Sequence, residues 1–282
     1  MIDKNLQVDR IVLGIEYVGT NYRGWQKQFN TANSIQMILE ENLSKIANER
    51  IFTTCVGRTD SGVHASGQVV HFDTQADRNS HNWIKGTNTW LPSDISIIFA
   101  KKVGKKFHAR FSAVSRRYVY LIRLEKYRSS LTGDFSLSYG GRLEPELMAM
   151  AAEKLIGKHD FNAYRSAGCQ AKSSVRTIKN LDIYKSHDLI AIDIVANGFL
   201  QKMVRNIVGV LIAIGSGLKP VKWAFSVLES RNRRLGGVTA PPNGLYFLGP
   251  TYDPSFGLSE TVRIPAILKG ILNTQRLAGF DD

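Results

Sequence analysis

Apolar and polar positions alternate over residues 10–18, where Ile11, Leu13, Ile15 and Tyr17 share one face, and a period of two predicts a half-buried strand. After Asn33 the period changes. Ile35, Ile38, Leu39, Leu43 and Ile46 recur at the spacing of one helix face, predicting a helix to about residue 48, with Asn33 as its N-cap and Gln36 as the capping-box partner. The runs Ile51–Val56 and Gly67–Phe72 are β-branched and aromatic and read as strands. A helix over 81–90, a break at Leu91-Pro92-Ser93-Asp94 and a strand over 95–103 follow. The first half thus reads βαββαβ.

The same order returns in the second half. Arg117–Leu124 is a predicted strand and Glu144–Ile156 a helix with Pro145 in its first turn. Residues 178–185 and 189–196 form a hairpin across Ser186-His187-Asp188. A strongly apolar helix over 201–214 stops at Gly215-Ser216-Gly217, a short helix starts after Pro220, and Gly244–Gly249 closes as a strand. Two copies of one order predict an α+β protein of two ferredoxin-like halves with antiparallel sheets, residues 1–106 and 107–282. The halves share their element order but no visible residue-level similarity.

Composition narrows the class. With 282 residues, 43% of them hydrophobic, the chain can bury the cores of two domains. The net charge of +13 comes from lysine and arginine and suits nucleic acid, an anionic membrane surface or plain solubility. No apolar run approaches the ~20 residues that span a bilayer; the longest, Ile207–Ile214, is far shorter. The N-terminal residues lack the apolar stretch of a signal peptide. Cys55 and Cys169 offer neither a metal-ligand spacing nor a disulfide framework. A reduced, cytoplasmic protein without a metal site is expected.

The positive charge is clustered. No acid falls between Asp94 and Glu125, a stretch holding Lys101, Lys102, Lys105, Lys106, Arg110, Arg116, Arg117 and Arg123. Two more acid-free stretches run from Asp160 to Asp182 and from Asp193 to Glu229. Any single charge run is usually a solvated face. Three of them in one chain predict phosphate contacts, and the lack of a recognition helix or zinc finger favours folded RNA read by shape and backbone.

Chemistry concentrates in Gly57-Arg58-Thr59-Asp60-Ser61-Gly62-Val63-His64-Ala65, the tip between two predicted strands. One carboxylate, Asp60, lies between two glycines and beside Arg58; an Asx-turn at Asp60 would account for it without chemistry. A second focus is Arg205 in Met203-Val204-Arg205-Asn206-Ile207-Val208-Gly209. A buried charge in an apolar helix face needs a partner, and Asp60 is the candidate. Tyr118 and Tyr120 share a strand face, and core packing explains both.

The run G-R-T-D-S-G-V-H-A followed by G-Q-V-V-H-F resembles the active-site loop of the tRNA pseudouridine synthase A family. Asn21–Gln26, Asn88-x-x-Leu91-Pro92-x-Asp94-Ile95, Ser174–Ile178, M-V-R-N-I-V-G and Thr239–Leu248 extend that resemblance over nearly the whole chain. It implies two related domains around a central basic cleft, with Asp60 catalytic, Arg205 its ion-pair partner and Tyr118 against the target base. Arg58 would help displace the uridine, and His64 and Leu245 would line the base site. Gln201 and Lys202 stand where the family often has histidines, which touches the flanking contacts of Arg205. The implied activity is isomerisation of uridine to pseudouridine at tRNA positions 38, 39 and 40 in the anticodon arm, by a homodimer without a cofactor. Three alternatives stand beside it: a synthase acting at another RNA site, a non-catalytic RNA-binding protein, and a hydrolase using Asp60, which would need a second acid or base.

Overall fold

The alternation at the start of the chain becomes β1 (Asp9–Tyr17) in the computed structural model, which describes residues 8–28, 33–258 and 261–277. The chain divides into two units. Residues 1–114 and 247–263 form the first, and residues 115–246 and 264–282 the second.

In the first unit, β1 is followed by α1 (Ile35–Ala47), β2 (Thr54–Cys55), β3 (His64–Thr74), a π-helical turn (Asn82–Gly86) and β4 (Ile95–Val103). The strand order is β4-β1-β3-β2, antiparallel throughout. α1 buries Ile35, Leu39 and Leu43 completely, and Phe72 of β3 meets Trp83 edge-on at 5.2 Å. The helix is capped by Ser34, whose hydroxyl accepts from Met37 N, and not by Asn33. Asn33 instead donates its amide to Asn21 O, while Gln36 donates to Glu40. Burying Ile35 at the first helical position moves the cap to the residue before it. β2 is shorter than the Ile51–Val56 run predicts because Thr53 gives both its N–H and its hydroxyl to the Glu40 carboxylate of α1. The predicted 81–90 helix is present over residues 80–88, with a π-helical centre at Asn82–Gly86.

The second unit contains β5 (Ala113–Leu124, from Ser115), β6 (Leu137–Tyr139), α2 (Pro145–Glu153), β7 (Gly157–Asp160), β8 (Val175–Ser186) and β9 (Leu189–Ala196). α3 (Met203–Gly215), α4 (Trp223–Ser230), the first residues of β10 (Leu245–Tyr252), α5 (Ala266–Leu272) and β11 (Arg276–Leu277) complete it. Its order is β10-β5-β9-β8-β11, with β6 beside β5 and β7 beside β8. α3 buries Ile207, Val208, Leu211 and Ile214 and packs on α2. β6, β7, β11 and α5 are absent from the sequence reading, being too short for periodicity to register. Asp182 and Asp193 lie opposite each other on β8 and β9, a costly pairing. Arg117 offsets it by pairing with Asp193 at 2.6 Å, and Arg276 by pairing with Asp182 at 2.9 Å.

The division between units follows Val114 where the sequence reading has a boundary after residue 106, and Phe247–Arg263 returns to the first unit. Aromatic packing accounts for the return. Phe107 meets Tyr252 at 5.0 Å and Phe256 at 5.2 Å, and the Tyr252 hydroxyl donates to Ala109 O at 2.7 Å.

Candidate active site

The connection from β2 to β3 carries Arg58 and Asp60, and its backbone is fastened at nearly every residue. Gln68 of β3 donates its amide to Gly57 O at 2.8 Å. Thr59 shares a 2.8 Å hydrogen bond with the buried Tyr17 hydroxyl and accepts at its carbonyl from Trp25 N at 3.1 Å. Ser61 donates its hydroxyl to Tyr22 O at 2.9 Å. Val63 N donates to Asp60 O at 3.2 Å, closing a turn in which Gly62 has φ 78°. That left-handed value favours glycine, and the backbone carbonyl of Asp60 accepts the hydrogen bond that closes the turn. Gly24 lies against the loop, and a Cβ there would stand 2.7 Å from Thr59 O.

Each flanking residue has a reason to stay where it is. Thr59 and Val63 are buried, Asp60 is half-buried, and Arg58 is exposed. His64 is 2% exposed, and its Nδ1 accepts from Gly19 N at 3.1 Å. The imidazole thus ties the first residue of β3 to the end of the segment after β1. Burial pushes the Cys55 thiol up to about 12, against the pull of the Arg58 and Arg110 guanidinia. A thiol held so high stays protonated at neutral pH and is a poor nucleophile. Burial likewise raises the Tyr17 phenol, so it remains a hydroxyl beside Thr59.

Two segments that look unrelated in sequence meet here. The Tyr22 hydroxyl donates to the Asp94 carboxylate, and Val18 N donates to Asp94 O at 2.9 Å. The Asn88 side chain brackets Ile97, donating to its carbonyl at 2.9 Å and accepting from its N–H at 2.8 Å. Residues 21–26 thus hold the loop through Tyr22 O and Trp25 N, and Asp94 holds Tyr22 in turn. Tyr17 and Gln68, read from the sequence only as strand residues, bond to Thr59 and to Gly57 O, and Gly19 holds His64 through its backbone N–H. The signal of Tyr17 and Gln68 is a polar atom on a strand face that should be apolar.

The second unit holds Tyr118, Arg205 and Leu245. Tyr118 is 8% exposed and meets the Phe199 ring edge-on at 5.1 Å. Its neighbour Tyr120 is fully buried, as core packing requires, and donates its hydroxyl to Pro241 O at 2.9 Å. Arg205 lies near enough to Tyr120 to counter the rise that burial imposes on that phenol. Its Nε donates to Ala240 O at 2.7 Å, while Ala240 N donates to Arg205 O at 3.0 Å. This reciprocal pair joins the first turn of α3 to the Thr239–Leu248 segment, which includes the buried Leu245. Among the described residues, no three or more His, Cys, Asp or Glu side chains gather as metal ligands.

A sequence profile described as tRNA pseudouridine synthase matches residues 14–112 and 151–253. The chain belongs to the tRNA pseudouridine synthase family. Relatives named tRNA pseudouridine synthase A agree over nearly full length. The protein from Pseudoalteromonas atlantica is 48% identical over 92% of this chain and 98% of its own. That from Alcanivorax borkumensis is 49% identical over 89% and 94%, and that from Pseudomonas aeruginosa 48% over 94% and 93%. The spans matched to the synthase profile include the Asp60 loop, Arg205 and Leu245, whereas Tyr118 lies in the interval between them. Among solved structures, a chain from an H/ACA RNP bound to a substrate RNA containing 2'-deoxyuridine is 9% identical, with a TM-score of 0.36 over 72% of this chain and 44% of that one. The present chain spans less than half of that longer one, a likeness too distant to bear on the synthase site.

Proposed function

We propose that this member of the tRNA pseudouridine synthase family isomerises uridines at positions 38, 39 and 40 of the anticodon arm. The observation that carries the reading is Asp60, the half-buried carboxylate of a loop whose neighbouring residues are held by Tyr17, Trp25, Tyr22 and Gln68. A fixed carboxylate suits nucleophilic catalysis, because positioning replaces a costly search for the reactive geometry. In the reaction, the N1–C1′ bond breaks, the uracil turns over, and C5 joins C1′. Asp60 either attacks C6 of the base or assists departure at C1′. No external group enters the balance, so no cofactor is assigned.

Arg205 pairs with Asp60 in this reading, and Tyr118 stacks on the base and helps move the C5 proton. Arg58 helps displace the target uridine from its stack, at an unpairing cost of a few kcal/mol. Leu245 lines the base site. His64 contributes through the loop that it fastens to Gly19. Both units take the ferredoxin-like order in this reading, supported by the arrangement fourth-first-third-second strand in each, β4-β1-β3-β2 and β10-β5-β9-β8. The enzyme is assigned to the cytoplasm as a homodimer on the family resemblance; among the described residues no helix is long and apolar enough to cross a membrane.

Mapping pseudouridine in tRNA incubated with the purified protein tests the assignment. New pseudouridine at 38–40 is expected. Modification confined to other positions would replace the site assignment, and none at all, with RNA binding retained, would favour the non-catalytic alternative.

A further inference from the structure

The second unit contains a depression of about 280 Å³ walled by Arg165, Ser166, Arg231 and Arg233, with Asn162 and Asn232 between them and no carboxylate in its lining. Three arginines lining so small a space repel one another unless an anion lies among them. Their placement depends chiefly on neutral groups. Arg233 donates through one nitrogen to Asn206 Oδ1 and to Thr239 Oγ1, both at 3.0 Å. Thr239 donates its hydroxyl to the same Asn206 oxygen at 2.6 Å, and the buried Asn206 amide donates to Tyr164 O at 2.7 Å. This network orients Arg233 without neutralising it.

Among the described residues, Arg231 alone of the three forms an ion pair. Its Nε lies 3.4 Å from Asp160 Oδ2, and its carbonyl accepts from Asn162 Nδ2 at 2.6 Å, which holds a left-handed backbone at φ 51°. The Arg165 guanidinium makes no hydrogen bond or ion pair among the described residues. Three cations against one carboxylate leave an excess of two positive charges. The polar lining and modest volume do not suit a drug-sized or cofactor-sized ligand, whose pockets are mostly apolar and run from about 300 to 1,000 Å³. Guanidinium forks do suit phosphate oxygens, which they can bind two at a time.

We infer that this depression binds a backbone phosphate of the RNA substrate, as a contact separate from the residues assigned to the target base. The identity of the anion rests on the reading of the chain as a tRNA isomerase. The site itself rests on the arginine geometry. Arg165 lies in the Asp160–Asp182 acid-free stretch and Arg231 and Arg233 in a further one between Glu229 and Asp253, and the fold brings the two together.

The test measures tRNA affinity against salt for wild type, for Arg165→Gln with Arg231→Gln, and for a charge-matched control, Lys185→Gln with Lys269→Gln, two exposed positions of the same unit. Removing one phosphate interaction should lower the log–log slope by about 0.7–0.9, so the affinity drop between 50 and 200 mM salt should shrink by about threefold for each one removed. The control pair should keep the wild-type slope. An unchanged slope in the arginine variant, or an equal change in the control, overturns the site. Should the double variant not fold, Arg165→Gln alone removes no bond among the described residues and gives the same comparison. Calorimetry with inorganic phosphate separates the source of the anion: binding abolished in the variant while the tRNA slope stays constant would assign a free-anion site and overturn the RNA contact. A changed sedimentation coefficient with a constant slope would assign the face to protein association, again overturning it. Failure of the functional reading looks different, because wild type would then make no pseudouridine while the slope comparison stood.

Discussion

Two strand-to-strand connections, one in each unit, are built in opposite ways. Between β2 and β3, the first unit places residues 56–63, with Asp60 at their centre, whereas the second joins β8 to β9 through His187 and Asp188 alone. The long connection draws its hydrogen bonds from outside itself, including Tyr17, Tyr22, Trp25 and Gln68. The short one completes the strand ladder, and its Asp188 pairs with Arg123 at 2.9 Å. The third strands differ in keeping. β3 buries His64, Gln68 and His71, while on β9 the buried polar residue is Asp193, already paired with Arg117. A repeated strand order sets where a loop can be; the side chains behind the loop decide whether it can hold chemistry.

If the first connection carries the reaction, Asp60→Asn should lower tritium release from C5-labelled tRNA by at least about 10³-fold while tRNA binding persists. Near wild-type turnover would put the two connections on an equal footing. Arg205→Met should come next, with a loss of about 10²–10³-fold, comparable to removal of one preorganised electrostatic donor, falling on turnover more than on binding. A crystal structure with tRNA that shows the guanidinium far from the Asp60 carboxylate would remove the pairing.

Gly24→Ala probes the support of the loop. The added Cβ would meet Thr59 O at 2.7 Å in a backbone of φ 82°, so about 1–3 kcal/mol of strain is expected. Turnover should fall by roughly tenfold or more per 1.4 kcal/mol transmitted to the loop, with a lowered Tm; unaltered kinetics would show that the loop tolerates displacement.

His71 gives a signature in acid. Burial chiefly, with the Arg10 and His108 charges, holds its imidazole down to about 4, against the opposing Asp73. Between pH 6.5 and 4 the unfolded chain takes up a proton that the folded chain refuses. Stability therefore falls as pH falls through that window, by up to about 3 kcal/mol, and is unaffected above it. Replacing His71 by Gln should flatten the Tm-against-pH profile there, and an unchanged profile would exclude His71 as its source. The smallest effect belongs to the hairpin of the second unit. His187 has φ 52°, so His187→Gly should change stability by less than about 1 kcal/mol and leave turnover unaltered. A catalytic defect there would erase the contrast between the two connections.

Much of this was legible in the chain. β1, α1, β4 and β9 follow from periods of two and 3.6 that local burial imposes, and the Asp60 loop follows from a motif contiguous in sequence. Packing over long separations decided the rest. Lys102 and Lys105 belong to an acid-free stretch, yet the fold brings Asp9 to the first at 2.5 Å and Asp73 to the second at 3.8 Å. The arginine-lined depression shows the converse, since Arg165, Arg231 and Arg233 come together from positions that a linear count of charge separates. Local periodicity records which face of an element is buried. Which charges face one another is set by register and by chain returns such as Phe247–Arg263, because electrostatic interaction depends on distance through space and not along the sequence.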